Sequence, residues 1–393
     1  MALSRSCHRR RADRSTSRAP FAAAACVRPL FAAPSDKPQR CFMDRRSFVA
    51  LSAGSGLLAA SAGMLPRLAF AQSLRLTGAG ASLPFPLYST WFQAYGQTNP
   101  GIQIDYQSIG SGAGVKSFIA RTVDFAASDA AMTDEQIGQV DGGAVLLPMT
   151  AGEIVLAYNL PGVTGLKLPR EVYPLIFLGE VTSWQDPRIV AANPGVELPD
   201  TKITAVRRSD ASGTTFVFTN HLAAISEKFK ATVTPGTNPQ WPGASNLVAA
   251  PRNDGVTATI AQTPGAIGYI EYGYAKLTNT PAATPQNAAG AYVAPGGEGG
   301  PLALAGAQFN SETDLRGWLT DPKDAMAYPI ATFTWMLFYR KQDPAKAEAL
   351  RSIVQWALTD GQKMAGDLGY IPLPEAVVAK VQAQVADIGS VQS

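Results

Sequence analysis

Cysteine and histidine are scarce in this chain. Its 393 residues include three cysteines and two histidines. The cysteines, Cys7, Cys26 and Cys41, and the first histidine, His8, all lie within residues 1–71. So few cysteines over this length exclude a disulfide-dense scaffold. The rest of the chain has no cysteine and one histidine, which argues against a zinc site, because those two residue types supply most zinc ligands.

Charged residues are also few, and their signs are unevenly distributed. They make up 16% of the sequence, with a formal net charge of +3. Residues 1–71 contain twelve basic and three acidic residues, a net charge of +9, whereas residues 72–393 contain 21 basic and 27 acidic residues, a net charge of −6. This asymmetry indicates a basic leader. The remaining 322 residues fit two domains, and a chain that is 46% hydrophobic is too apolar for general disorder.

The leader has the features of an export signal. Residues 43–49 (MDRRSFV) resemble a twin-arginine signal, and a run of apolar and small residues follows over 48–65. Residues 69–71 (AFA) have the small-x-small form of a signal-peptidase site. The run is too short and too rich in small residues for a membrane anchor. We therefore expect a signal peptide over residues 43–71, cleaved after Ala71, and a periplasmic mature protein; the twin-arginine and general secretory routes both remain open.

Residues 1–42 precede this signal and are interpreted as a gene-start extension, because Met43 is a natural start. An arginine-rich arm for nucleic acid is not expected ahead of an export signal, so no nucleic-acid partner is predicted. A lipid anchor is not expected either, because no cysteine follows the apolar run.

The mature sequence alternates short apolar runs with segments of helical periodicity, which is typical of an α/β fold. Leu87, Trp91 and Tyr95 fall on one face of a predicted helix. Strands are predicted at 74–76, 102–106, 154–158, 203–206, 266–270 and 331–339. Helices are predicted at 344–360 and 374–385. Residues 281–308, rich in alanine, glycine and proline, are predicted to form a surface loop.

Three turns repeat one design, in which an apolar run is followed by glycine, serine or threonine and then by a helical segment. They are residues 77–84 (TGAGASLP), 110–114 (GSGAG) and 208–215 (RSDASGTT). Glycine allows a ligand to approach the backbone, and the first N–H groups of a helix favour anions. Each turn alone is more often a plain helix cap. Leu83 and Val115 stand where a dinucleotide fingerprint needs its third glycine, so no nicotinamide cofactor is expected.

Two charged residues bear on the kind of anion. The planar guanidinium of Arg208 suits bidentate binding of an oxyanion, and Asp210 could orient it; a surface Arg–Asp pair is an equally good local interpretation. Asp129 follows an apolar run, as if at the end of a strand. An ionised aspartate accepts hydrogen bonds only, so beside an anion it favours one that carries a proton, such as phosphate, over sulfate. Locally, a solvated strand-end aspartate is the simpler interpretation.

Taken together, these turns and three further segments resemble the periplasmic phosphate-binding component of the phosphate-specific ABC transporter. The segments are residues 77–84, 109–116 (IGSGAGVK), 122–129 (TVDFAASD), 206–214 (VRRSDASGT), 264–272 (PGAIGYIEY) and 328–333 (YPIATF). They keep the order and spacing of that family over nearly the whole mature chain. Several such segments together are highly specific, although each one alone is not.

The resemblance implies a fold and a domain division. The fold is the two-lobed α/β periplasmic-binding-protein fold, a clamshell in which each lobe is a mixed sheet flanked by helices. Both lobes are discontinuous in that family, and two chain segments form the hinge. We accordingly expect lobe I at 72–155 plus 327–393 and lobe II at 156–326.

The resemblance also implies a set of phosphate contacts. They are Ser82, Leu83, Ser111, Asp129, Arg208, Ser212, Gly213 and Thr214, with Asp210 orienting Arg208. Ser82 stands where the family has threonine, and Leu83, where the best-known members have phenylalanine, contributes its backbone N–H. A further departure lies at residues 245–253, where the family's glycine-rich stretch is rewritten. That change puts the shape of this loop in doubt, not the phosphate site.

The function implied is non-enzymatic. The protein would bind inorganic phosphate in the periplasm and deliver it to the inner-membrane permease of an ABC transporter with its ATPase, as a monomer without metal or cofactor. The alternatives are a binding protein for molybdate, tungstate or sulfate, a secreted phosphatase, and a structural exported protein. No serine of the three turns lies in Gly-x-Ser-x-Gly, and His221 is predicted to lie inside a helix, so a hydrolase has no obvious catalytic base.

Overall fold

A computed structural model describes residues 73–391, which all lie within one compact unit of the chain. The predicted gene-start extension, the export signal and the cleavage after Ala71 lie outside the described residues. Within residues 73–391, none of the helices combines the length and the apolar character needed to cross a membrane.

The described chain alternates strands and helices. The strands are β1 (Leu74–Gly80), β2 (Ile102–Ser108), β3 (Phe125–Ser128), β4 (Ala144–Tyr158), β5 (Lys167–Leu168), β6 (Thr204–Arg208), β7 (Leu247–Ala250), β8 (Ala266–Glu271), β9 (Thr284–Pro285) and β10 (Ala331–Tyr339). The helices are α1 (Phe85–Thr98), α2 (Ser111–Ile119), α3 (Asp134–Gly138), α4 (Tyr173–Phe177), α5 (Pro187–Ala192), α6 (Gly213–Ile225), α7 (Glu227–Thr232), α8 (Arg252–Gln262), α9 (Tyr272–Thr278), α10 (Gly299–Ala305), α11 (Pro344–Trp356), α12 (Gln362–Ala365) and α13 (Glu375–Gln384).

Eight of these strands form one mixed sheet in the order β2-β1-β3-β10-β4-β8-β6-β7. Strand β4 joins its two halves. Up to Glu153, which pairs with Ala331, β4 runs antiparallel to β10; from Ile154, which pairs with Glu271, it runs antiparallel to β8. All 15 residues of β4 are buried, so this strand carries the chain from one half of the sheet to the other without reaching the surface.

Each half of the sheet has its own hydrophobic core. The first is built around large side chains such as Trp91, Phe118 and Trp335, and the second around Trp184 and Tyr269. The central strands β4, β8 and β10 are buried at every residue, as expected for strands that are covered on both faces, whereas the edge strand β2 alternates between apolar and polar residues.

The residue ranges of the two cores resemble the predicted division into lobe I and lobe II. That division stays a prediction. The first core takes its residues from 76–151 and, after the chain returns, from 304–388; the second takes them from 154–330. Leu304 and Leu315 pack in the first core although the predicted boundary would place them in lobe II.

The predicted surface loop at 281–308 is wrong in part. This segment contains β9 and α10, and Asn287 and Val293 within it are buried. The amide of Asn287 donates to the carbonyls of Ala325 and Ala327, at 2.9 and 3.1 Å. The segment is held by distant backbone contacts, which its small side chains permit and which leave no periodic signal in the sequence.

Two glutamates are buried where β4 changes partners. Glu153 accepts from the N–H of Gly296 at 2.6 Å, and Glu271 accepts from the N–H of Gly273 at 2.8 Å. The second carboxylate oxygen of each has no hydrogen-bond partner among the described residues. Burial raises the pKa of Glu153 to about 7 and raises that of Glu271 well above its usual value, to which the charge of Glu153 adds. Burial therefore makes ionisation of both carboxyls less favourable in the folded protein than in water.

We expect Glu153→Gln to stabilise the protein at pH 8 but hardly at pH 5. An acid whose pKa is raised on folding binds more protons in the folded than in the unfolded state, so stability falls as the pH rises from about 4.5 to about 7. One pKa unit corresponds to about 1.4 kcal/mol, so the gain at pH 8 approaches ~3 kcal/mol. Urea unfolding at both pH values measures it.

The matched control for this prediction is Glu227→Gln, which removes a glutamate whose side chain is 89% exposed. It should change stability little at either pH. A gain from Glu153→Gln that is equal at pH 5 and pH 8 would contradict the argument.

Candidate oxyanion site

The three glycine and serine turns meet at one place in the fold. They follow β1, β2 and β6 and lead into α1, α2 and α6. The N–H of Gly112, in the second turn, donates to the carbonyl of Ala211, in the third, at 3.0 Å. The three turns lie at the carboxyl ends of parallel strands, which is where ligands bind in open α/β sheets.

Arg208, the last residue of β6, is a buried cation held by a carboxylate. Its Nε and one terminal nitrogen donate to the two oxygens of Asp210 at 2.8 and 2.5 Å, and its other terminal nitrogen lies 3.4 Å from the hydroxyl of Thr214. Partial burial acts to raise the pKa of Asp210, but the hydrogen bonds and charge of Arg208 outweigh it and hold the pKa below its usual value. The guanidinium is therefore fixed in one orientation, with its remaining N–H groups on the side of Thr214.

Asp129 lies directly after β3 and is 1% exposed. One of its oxygens accepts from the hydroxyl of Thr334 on β10 at 2.9 Å, and the other lies 3.5 Å from the hydroxyl of Ser111. Burial raises the pKa of Asp129 to about 7, against the opposing effects of the hydroxyls around it and of the charge of Arg208. The strand-end aspartate is thus not solvated, and near neutral pH its carboxyl is able either to accept or to release a proton.

The first turn presents a buried hydroxyl and two fixed carbonyls. The hydroxyl oxygen of Ser82 accepts from the side-chain amide of Asn253 at 3.0 Å. The carbonyl of Ser82 accepts from the hydroxyl of Tyr274 at 2.6 Å, and that of Leu83 accepts from Tyr370 at 2.7 Å. These bonds fix the path of the backbone on either side of the Leu83 N–H that the resemblance implicates.

The third turn starts α6 with a serine cap. The hydroxyl oxygen of Ser212 accepts from the N–H of Thr215 at 3.1 Å, which satisfies one of the unpaired N–H groups at the helix start. Gly213 and Thr214 are the first two residues of the helix and are buried. This end of α6 carries the positive end of the helix dipole, so it attracts an anion.

Gly213 is in tight contact with residues from the other half of the sheet. A Cβ atom added to it would lie 2.6 Å from Cβ of Asp129, 2.7 Å from the hydroxyl oxygen of Ser111 and 2.8 Å from the backbone nitrogen of Ala130. Such distances are far below van der Waals contact. The two halves are therefore closed on each other at this point, and they can be so only because residue 213 has no side chain.

The structure brings all the predicted site residues together and adds two. Asn253, at the start of α8, contacts both Ser82 and Thr214, and Thr334 contacts Asp129. In the sequence, Asn253 stands out only as the end of the rewritten segment at residues 245–253. Thr334 lies in a predicted strand and gives no local signal. Both contacts depend on tertiary structure alone.

The groups of this arrangement are suited to binding an oxyanion. The donors are neutral hydroxyls, helix N–H groups and one guanidinium, and Asp129 is the carboxylate among them. His221 lies in α6, where its Nε2 is 2.8 Å from the hydroxyl of Tyr173, and burial lowers its pKa to about 3. It is not placed to activate a serine of the site. Within residues 73–391 no cluster of residues suited to a metal ion is found.

Comparison with known proteins gives a consistent result. A family model described as a PBP superfamily domain matches residues 60–360. The phosphate-binding protein PstS of Pasteurella multocida is 39% identical over 316 residues, covering 80% of this chain and 90% of the relative. The protein of the same name from Haemophilus influenzae is 37% identical over 323 residues, covering 81% and 95%.

Solved structures show the same fold at lower identity. A high affinity periplasmic phosphate-binding protein (PfluDING), solved with phosphate bound, superposes with a TM-score of 0.66 at 20% identity, over 79% of this chain and 94% of that one. A phosphate-binding protein from Stenotrophomonas maltophilia gives a TM-score of 0.65 at 19% identity over the same shares. The predicted two-lobed α/β fold is confirmed.

Proposed function

The chain belongs to the PBP superfamily and, within it, to the PstS phosphate-binding proteins, and from this premise we propose that it binds inorganic phosphate and delivers it to an ABC permease. The resemblance predicted from its motifs is thereby confirmed as to family. The proposed contacts are the hydroxyls of Ser82, Ser111, Ser212 and Thr214, the N–H groups of Leu83 and Gly213, the guanidinium of Arg208 and the carboxylate of Asp129.

The observation that carries the proposal is one carboxylate buried in a ring of donors. Every group around Asp129 in the site is a hydroxyl, an N–H or a cation, so the ring suits the oxygens of an oxyanion. Asp129 itself suits a proton on that anion. Dibasic phosphate has three acceptor oxygens and one O–H, and it fits such a set. Sulfate, molybdate and tungstate carry no proton at neutral pH and cannot donate to Asp129, so these alternatives are not favoured.

The hydrogen bonds available in the site are sufficient for tight binding of phosphate. About eight hydrogen bonds that involve a charged partner, at roughly 1.5–3 kcal/mol each, exceed the ~8 kcal/mol that micromolar affinity requires. The surplus offsets the ordering and desolvation that accompany closure. Because residues 72–393 have a net charge of −6, local dipoles and Arg208 supply the attraction, not the overall field.

The family supports a proposed place of action and a proposed set of partners. The export signal predicted at residues 43–71 supports a periplasmic protein. We propose that it acts as a monomer and hands phosphate to the membrane subunits of a transporter that an ATPase drives, without metal or cofactor and without an enzymatic step. We also propose that the lobes follow the predicted boundaries, except that Leu304 and Leu315 pack with lobe I, and that the hinge lies at β4 and at the start of β10.

Calorimetric titration of the purified protein with phosphate and with sulfate tests the proposal. We expect micromolar or tighter binding of phosphate and no measurable binding of sulfate at pH 8. Equal affinity for the two anions would exclude the role of Asp129. Release of phosphate from p-nitrophenyl phosphate would instead favour the phosphatase.

We expect Gly213→Ala to weaken phosphate binding without harming the fold. The added methyl group collides with Asp129 and Ser111 only in the closed arrangement. Overpacking of this kind costs about 1–3 kcal/mol or more, so binding should weaken roughly 10–100-fold. Phosphate titration together with the melting temperature of the ligand-free protein measures both effects.

Gly236→Ala is the control for this substitution. Nothing lies within 4 Å of a Cβ atom added at Gly236, which belongs to the same half of the molecule. It should leave phosphate affinity unchanged. Unaltered binding by Gly213→Ala would show that the two halves do not close as described.

A further inference from the structure

Asn253 connects the two halves of the oxyanion site. It is the second residue of α8 and is fully buried. Its backbone N–H donates to the hydroxyl oxygen of Ser82 at 3.2 Å, and its side-chain nitrogen lies 3.0 Å from the same oxygen and 3.3 Å from the hydroxyl oxygen of Thr214. One asparagine thus touches two of the hydroxyls assigned to the ligand.

The orientation of the Asn253 amide is fixed by a backbone group. Its side-chain oxygen accepts from the N–H of Glu271 at 3.1 Å. A backbone N–H can only donate, so the atom that faces it must be the amide oxygen. The NH₂ group consequently faces Ser82 and Thr214, and to both hydroxyls it is a donor.

The hydrogen bonds already made leave each hydroxyl one remaining role. A hydroxyl has two acceptor positions and one proton. Ser82 receives two bonds from Asn253, and Thr214 receives one from Asn253 and one from Arg208. With their acceptor positions occupied, these hydroxyls can act toward a ligand only as donors.

We propose that Asn253 is a positioning residue that sets Ser82 and Thr214 as donors, so that the site accepts a ligand proton at Asp129 and not at these hydroxyls. The inference rests on the proposed function. Its consequence is selection between two forms of one ligand: HPO₄²⁻ has one O–H and fits, whereas the second O–H of H₂PO₄⁻ finds no acceptor at Ser82 or Thr214.

The experiment is phosphate titration between pH 5 and pH 8 with wild-type protein, Asn253→Ala and Asn253→Asp. In Asn253→Ala the hydroxyl of Ser82 keeps only the backbone N–H of residue 253 and that of Thr214 keeps only Arg208, so each regains one acceptor position for a second O–H. We expect binding roughly tenfold weaker at pH 8, since two oriented hydrogen bonds are lost, and a deficit that shrinks to about threefold or less at pH 5. In Asn253→Asp the carboxylate draws both hydroxyl protons to itself and adds a negative charge, so binding should fall at least ~100-fold at pH 8.

Other groups near the site that titrate or carry charge are the same in the wild-type protein and in both Asn253 variants, so the ratio of variant to wild-type affinity removes their contribution. They are Asp129, Arg208, Asp210, Tyr269, Glu271 and Tyr274.

Asn193→Ala is the matched control. Asn193 is also buried and hydrogen-bonded through its side chain, to Lys167 and Ile189, outside the site. It should lower stability without changing the pH profile of binding.

The outcomes separate the two proposals. A deficit that shrinks at low pH supports the positioning role. A deficit of constant size from pH 5 to pH 8, with normal wild-type binding, overturns the positioning role and leaves the proposed function intact. Absence of phosphate binding by the wild-type protein overturns both. Asn253→Asp keeps the acceptor for Glu271, so it provides a test if Asn253→Ala does not fold; phosphate binding by Asn253→Asp at wild-type strength overturns the inference.

Discussion

Replacing Arg208 by alanine is expected to abolish binding of phosphate at micromolar concentrations. The guanidinium is the charged donor of the site, and its side chain is 1% exposed. Two charge-assisted hydrogen bonds at about 1.5–3 kcal/mol each are lost, which corresponds to roughly 10²–10⁴-fold weaker binding. The loss should extend to every oxyanion, because the guanidinium contributes charge and not discrimination. Calorimetry with phosphate and arsenate measures it.

Arg188→Ala supplies the control. Arg188 forms the same fork with a neighbouring aspartate, Asp186, through bonds of 2.9 and 2.8 Å, but it lies in α5 with 41% of its side chain exposed. An exposed pair of this kind contributes little to stability. Its removal should leave phosphate affinity as it is. If Arg208→Ala bound phosphate normally, the site would have to lie elsewhere.

Asp129→Asn is expected to remove the discrimination between phosphate and sulfate. In the wild-type protein sulfate brings no proton to the buried carboxylate and is repelled by its charge. The asparagine amide is neutral and can donate, so sulfate becomes acceptable while phosphate still binds. Sites built around a hydrogen bond of the ligand reject analogues that lack it by about 10⁴-fold, and we expect most of that ratio to disappear. Competition between the two anions measures it.

Lowering the pH should weaken the discrimination against sulfate in the wild-type protein as well. Burial raises the pKa of Asp129 to about 7 in the ligand-free site, so below that pH the carboxyl carries its own proton and becomes a donor. Sulfate binding by the wild-type protein should therefore increase as the pH falls from 8 to 5, and it should be independent of pH in Asp129→Asn. Asp124→Asn serves as control: Asp124 accepts from Thr77 and Lys346 outside the site, and its removal should not alter selectivity.

Much of the fold and the family could be predicted because the informative signals are local. The apolar residues of β1 and β2 alternate with polar ones, those of β10 form a continuous buried run, and each anion-binding turn is a short segment of glycine and hydroxyl residues directly before a helix. Arg208 and Asp210 are two residues apart, so their pairing was also foreseeable. The family could be predicted because the six segments from 77–84 to 328–333 occur together in one chain, in the order and spacing of that family.

What escaped prediction depends on contacts between distant parts of the chain. Asn253 meets Ser82 across 171 positions and Thr334 meets Asp129 across 205. An isolated asparagine or threonine is compatible with a surface position or a helix cap, and only the fold decides between these roles. The same holds for residues 281–308, whose small side chains carry no periodicity but become buried because larger elements pack against them.

The close fit at Gly213 has a consequence for the rate at which a bound anion dissociates. Asp129 and Arg208 are 1% and 3% exposed, so an anion bound between them is shielded from solvent while the two halves touch. Its residence time is then limited by how often the halves separate, and not by the rupture of individual hydrogen bonds. Anions of different affinity that all induce closure would share one upper limit on their dissociation rate. A transporter that separates the two halves on binding would therefore accelerate release of the anion without having to compete for it.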